Sequence, residues 1–188
     1  MTALTLLWLP ILLSAVFVFV VSSVIHMALP IHRNDYQKLP DEASLLESLR
    51  RHTLPPGQYV FPSCKSMQEM GQPEMLKKYQ QGPVGFLLMR KAGIPNIGPS
   101  LAAWFLFCIV VSVFVGYLTG LACKPGSEFL AVFRVAGACG VLGYAFTNVT
   151  ESIWKGVAWR TAFKFVFDGL VYGVVTAATF AWLWPATA

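Results

Sequence analysis

His26, Arg134, Tyr144, Asn148 and Asp168 stand out among the polar or ionisable side chains that fall inside largely apolar stretches. Charge placed in hydrocarbon is expensive, so such residues are expected to meet one another, to reach water, or to handle an ion or proton. Asp168 shares a helical face with Tyr172, Thr176 and Thr179, while Gly137, Tyr144, Asn148 and Glu151 share a face of the preceding apolar stretch. Two such faces in contact make either a hydrogen-bonded seam, the plainer outcome, or a proton-accessible path. At about 1.5 Å of rise per residue in a core of about 30 Å, Arg134 and Asp168 should lie roughly 13 Å apart along the membrane normal. They are therefore not expected to pair. Arg134 should snorkel outward toward Glu128 or phosphate. Asp168 is too short to do so and is expected among Tyr144, Asn148, Ser22, Ser23, His26 and Lys164.

A second polar group lies just beyond the first apolar stretch. The run His32-Arg33-Asn34-Asp35-Tyr36, continuing to Glu42, is mixed in charge and juxtamembrane, which suits contact with a partner or a lipid headgroup. The chemistry that other residues might signal is missing. His26, His32 and His52 do not have a spacing such as HExxH, and no Walker, GxSxG or dinucleotide motif occurs. Haem ligation by paired histidines lacks a second histidine on another apolar stretch. The acidic cluster Asp35, Asp41, Glu42 reads as a solvated loop and helix start. Cys64, Cys108, Cys123 and Cys139 occur singly, as buried structural thiols do, with no CxxC pair. Asn148-Val149-Thr150 matches a glycosylation acceptor, but at the inner membrane face it is accidental. On this reading there is no catalytic set, no metal site and no cofactor.

The elements that must hold these residues follow from composition. Of the 188 residues 56% are hydrophobic and only 12% charged, half of the roughly 25% of a soluble domain. Apolar runs over about 3–29, 99–122, 129–149 and 162–184 each reach the length of about 20 residues that a helical span needs. The first is read as a membrane helix, since no basic residue precedes it and Met27-Ala28-Leu29-Pro30 offers no small-x-small cleavage site. Residues 30–98 are polar and broken by Pro and Gly. They are expected to fold as a small α+β cap with helices over 41–52 and 73–80. Extended segments at 58–62 and 84–89 are expected there too, possible partners for each other. The expected fold class is an all-α integral membrane protein: four transmembrane helices in a bundle, with this cap between the first and second.

The net charge of +5 is distributed as a topology signal rather than as a nucleic-acid patch. Eleven bases from Arg33 to Lys91 and at Lys155 and Arg160 occupy the two loops of one side, against Lys124 alone on the other. The positive-inside rule then places residues 30–98 in the cytoplasm and both termini outside a bacterial inner membrane. Trp8, Trp182 and Trp184 fall in the outer aromatic belt and Trp104, Trp154 and Trp159 in or near the inner one. Small residues recur at close-packing intervals: Gly116 and Gly120 in the second span, Gly137, Gly140 and Gly143 in the third, Gly169 and Gly173 in the fourth. They favour a tight bundle or helices that dock on other membrane subunits or on a second copy.

The layout of the His32 to Glu42 run, Pro55-Pro56-Gly57-Gln58-Tyr59, Gly82-Pro83-Val84-Gly85-Phe86 and Phe167-Asp168-Gly169-Leu170-Val171-Tyr172 resembles small bacterial four-helix inner-membrane proteins without an assigned activity. The resemblance implies a multi-pass fold and no particular chemistry. Abundant packing signal beside absent catalytic signal points first to a non-enzymatic accessory or scaffold subunit of a larger membrane complex. The alternatives are a small transporter or proton-coupled conductor using Asp168, Tyr144 and Asn148, and a membrane-surface enzyme acting on lipid through the His32 to Glu42 run.

Overall fold

In the computed structural model, which describes residues 2–187, the chain is mostly helical and divides into two compact units. Positions 1 and 188, the ends of the expected outermost segments, lie outside the described residues. One unit holds the residues up to Asp35 and from Asn96 onward; the other is Tyr36–Pro95.

Four helical stretches are long and apolar enough to cross a membrane: Leu4–Ala28, Gly98–Ala122, Phe129–Lys155 and Trp159–Trp182. All four belong to the first unit. The first stretch is not one uniform helix. A 3-10 turn, Leu4–Leu7, leads into α1, Trp8–Ser23, and a wide π turn, Val24–Ala28, ends it. The change at Leu7 lets Pro10 sit in the first turn of α1, where its missing donor costs nothing. The end is also set by proline. Leu29 precedes Pro30 and is held extended, so its N–H bonds back to Val24 O at 3.1 Å across five residues, and a 3-10 turn, Pro30–His32, follows.

The Tyr36–Pro95 unit contains α2 (Glu42–Arg51), β1 (Gly57–Phe61), α3 (Met67–Met70), α4 (Pro73–Gln81) and β2 (Gly85–Met89). Asp41 caps α2 by accepting from Ser44 N, and Pro73 opens α4 at a position where its missing N–H is free of cost. β1 and β2 pair antiparallel with Gly57 opposite Met89 and Phe61 opposite Gly85, so the two extended segments do form a two-stranded sheet.

α5 (Gly98–Ala122) packs on α1, while α6 (Phe129–Tyr144) packs on α5 and most extensively on α8 (Trp159–Trp182), which also meets α1. Glycine makes the α6–α8 approach possible. A Cβ on Gly173 would stand 2.5 Å from Val141 Cγ2 and 2.9 Å from Val141 N, and one on Gly169 would meet Ala145 Cα at 2.5 Å. The third span differs from the expected single helix to Val149. It breaks at Ala145-Phe146 and resumes as α7, Thr147–Lys155, so Tyr144 and Asn148 stand on separate helices. The side-chain amide of Asn148 donates to Tyr144 O and Ala145 O at 3.4 and 3.3 Å, satisfying carbonyls that the break sets free. The fourth span begins at Trp159, three residues before the expected start, and stops at Trp182 ahead of Pro185.

Candidate functional site

The two odd turns after α1 are what build the site. The π turn carries His26 and the 3-10 turn carries His32, and together they fold the chain back so that the imidazoles stack with centroids 4.2 Å apart. π turns recur at functional positions because the extra residue re-aims a side chain. Phe165, one turn before Asp168 on α8, packs on both rings, at 5.8 Å from His26 and 5.0 Å from His32. Both imidazole Nε2 atoms then face one carboxylate: Asp168 Oδ2 lies 2.9 Å from His32 Nε2 and 3.5 Å from His26 Nε2.

His32 is fixed from its other side. Its Nδ1 is 2.6 Å from Asp35 Oδ2, and Asp35 also accepts from Lys164 Nζ of α8. The Asp35 side chain is only 4% exposed. Burial by itself would raise its carboxyl, but the hydrogen bonds from Lys164 and His32 outweigh that and hold it below the ordinary carboxylate value. Asp35 thereby fixes the orientation of the His32 ring and turns its Nε2 toward Asp168. His32 Nε2 and Asp168 Oδ2 stand at ion-pair distance without hydrogen-bond alignment, and Asp168 Oδ1 is buried with no partner.

Beside this cluster lies a cavity of about 470 Å³. His26 and Asp168 form its polar end, with Ser22 and Asn148 nearby; the rest of the wall includes Trp104, Phe107, Tyr144 and Tyr172. The aromatic wall is internally braced: Trp104 Nε1 donates to Ser22 Oγ at 2.8 Å, and Tyr144 and Tyr172 meet edge to face at 5.7 Å. The Tyr172 hydroxyl, buried in this wall, has no hydrogen-bond partner.

Asp168, Tyr144, Asn148 and His26 thus line one cavity, but the direct seam expected between Asp168 and Tyr144–Asn148 is not how they are bonded. The Tyr144 hydroxyl donates to Cys108 O at 3.4 Å, and Asn148 is spent on the helix break. Further along the Asp168 stripe, Thr179 donates back to Val175 O and Thr176 Oγ1 has no partner. Arg134 is exposed on α6, the placement that snorkelling requires, and among the described residues it makes no ion pair. The expected headgroup group separates. Arg33 and Tyr36 are exposed, whereas His32 and Asp35 turn inward to Asp168 and Lys164. Sequence reasoning missed the partnership of His32 with His26 because it searched for ligand spacings within regular helices. The available signal was Pro30 between them, which forbids a regular helix and forces a reversal.

The glycines expected at packing faces have neighbours inside the chain: Gly116 against Ile11 and Phe180, Gly120 against Thr2 O, Gly137 against Ala177, Gly140 against Gly173, and Gly143 against Val111, beside Gly169 and Gly173 above. One ligand atom from each of His26, His32 and Asp168 lies within 4.8 Å of the others, a grouping that one metal ion can bridge. Compared with protein-family models, with curated proteins and with solved structures, the chain finds no match, so its function is argued from its own residues.

Proposed function

We propose that this multi-pass membrane protein binds a small amphipathic molecule in the cavity between its spanning helices. The apolar part would lie against Trp104, Phe107, Tyr144 and Tyr172, and the polar group would stand at Asp168 and His26. The observation that carries this reading is the cavity lining, in which Trp104, Phe107, Tyr144 and Tyr172 stand together with the buried carboxylate of Asp168 and the imidazole of His26. Ligand sites typically measure about 300–1,000 Å³ and combine an apolar lining with a few fixed polar groups. The test is binding of a dansyl-labelled medium-chain fatty acid and a dansyl-labelled alkylamine to the detergent-purified protein. Saturable binding of either that is lost in Ser23→Phe, which fills the cavity, supports the reading. Equal binding by the variant would sink it.

The arrangement around the site is part of the same proposal. The four spans are taken as a bundle in a bacterial inner membrane, with both termini outside and residues 30–98 as a cytoplasmic cap, on the support of the base-rich loops. The accessory-subunit reading stands as a second proposal and rests on the cytoplasmic cap, since the packing glycines meet residues of the same chain.

A further inference from the structure

We propose that His26, His32 and Asp168 hold one divalent first-row transition-metal cation, of the zinc or ferrous class, and that this cation makes the polar end of the cavity selective for an anionic group. The metal assignment stands on the three side chains; the anion preference rests on the cavity reading above.

The three ligand atoms are close enough to share one ion. His32 Nε2 and His26 Nε2 lie 2.9 and 3.5 Å from the same oxygen of Asp168, and Asp168 Oδ1 has no hydrogen-bond partner. For metal bonds of about 2.1 Å, separations of 2.9 and 3.5 Å correspond to ligand–metal–ligand angles of about 90° and 113°. Both fall in the range of tetrahedral to octahedral sites. Two imidazoles and one carboxylate suit zinc or ferrous iron and do not suit the all-oxygen preference of magnesium and calcium.

The surroundings have the form that metal sites require. His32 is oriented through Nδ1 by Asp35, the carboxylate–histidine arrangement that fixes a ligating tautomer, and Asp35 is itself anchored by Lys164. The side chain of Asp168 is 2% exposed and that of His32 10%, whereas His26 is 36% exposed and borders the cavity. Two of the three ligands therefore open onto the cavity, and remaining coordination positions are available to a ligand's oxygen there. With the cation present, that oxygen is best anionic, as in a carboxylate or phosphate.

The experiment uses the full chain, without a histidine tag, purified in mild detergent and stripped with a chelator. Titration calorimetry with Zn²⁺ and visible absorption with Co²⁺ should show one ion per chain, unaffected by excess Mg²⁺. Asp168→Asn and His26→Gln should abolish saturable binding, and Asp35→Asn should weaken it about 10–100-fold by releasing the His32 ring. Circular dichroism and elution profile confirm that each variant is folded; if Asp168→Asn is not, the more exposed His26→Gln carries the test. Absence of saturable Zn²⁺ and Co²⁺ binding, or binding that survives intact in a folded His26→Gln, overturns the metal site. Zn²⁺ should strengthen binding of the dansyl fatty acid about tenfold, within the usual range of coupling between two ligands, and should not strengthen that of the alkylamine. Zn²⁺ binding with neither amphiphile bound overturns the cavity reading and leaves the metal site standing; fatty-acid binding without Zn²⁺ binding does the reverse.

Discussion

At the scale of single residues, the molecule concentrates its buried charge in one place. Asp35 is enclosed by His32 and Lys164, and its lowered carboxyl value means that it is ionised at neutral pH in the folded protein. A carboxyl whose folded value lies below its unfolded one stabilises the fold above the unfolded value. That contribution is lost as pH falls through the folded value. Lys164→Met removes a partner and strands a buried carboxylate, a change expected to cost about 3 kcal/mol at neutral pH. The deficit should shrink in acid once Asp35 is protonated, so melting curves of the two proteins should converge as pH drops below the ordinary aspartate range. A gap that stays constant with pH would show that Lys164 contributes through packing alone. Asp168 and His26 could be singled out from sequence because a polar group in an apolar run announces itself. The inward roles of His32 and Asp35 were not, since polar residues past the end of a span look the same whether they face water or fold back. Only the pair of turns at Pro30 decides between those outcomes, and their geometry depends on the packing of Phe165 against the imidazoles.

Among the elements, the α6–α8 pair sets the precision of the site, because Tyr144 at the end of α6 and Asp168 and Tyr172 on α8 all line the cavity. The contact has no room for a methyl group at two positions. A Cβ at Gly169 would strike the Ala145 backbone at 2.5 Å, and one at Gly173 would come within 2.9 Å of Val141 N. Backbone cannot move aside as a side-chain end can, so Gly169→Ala and Gly173→Ala should each destabilise by about 1–3 kcal/mol, as overpacking does. Gly71→Ala is the control. Its nearest neighbour would be Gln68 O at 3.8 Å and its backbone is ordinary for an alanine, so the melting temperature should not change. If all three variants melt alike, close helix approach is not what these glycines provide. Spacing of small residues thus revealed which faces pack, and the four spans were readable from length and hydropathy alone. The break after Tyr144 was hidden, because Ala145-Phe146-Thr147 contains neither proline nor glycine. It coincides with the close approach of Gly169 of α8 to Ala145, a tertiary contact with no local signature.

For the molecule as a whole, sidedness decides what the site can meet. His26, His32 and Asp35 follow the C-terminal end of the first span, and Lys164 and Asp168 lie in the first turns of the fourth, so the cluster sits at one end of the spans rather than at their centre. Under the proposed orientation that end is cytoplasmic, and a ligand or metal would reach the cavity from the inner leaflet and the cytoplasm. Single cysteines test this directly in a background where Cys64 is replaced by serine. Met27 is exposed beside the cluster, and Lys124 is exposed in the short loop at the opposite ends of the second and third spans. A membrane-impermeant maleimide should label Met27→Cys only in inside-out vesicles and Lys124→Cys only from outside intact spheroplasts. The positive-inside argument makes the outcome asymmetric in a useful way. The rule acts through short, base-rich loops near span ends, and Lys155, Arg160 and Lys164 flank the loop joining the last two spans, the shorter of the two on the cluster's side. Exchanging Lys155 and Arg160 for glutamine while adding two lysines beside Lys124 should therefore move a fraction of molecules to the opposite labelling pattern. Labelling of Met27→Cys from outside in the unmodified charge background would reverse the orientation and place the site toward the periplasm.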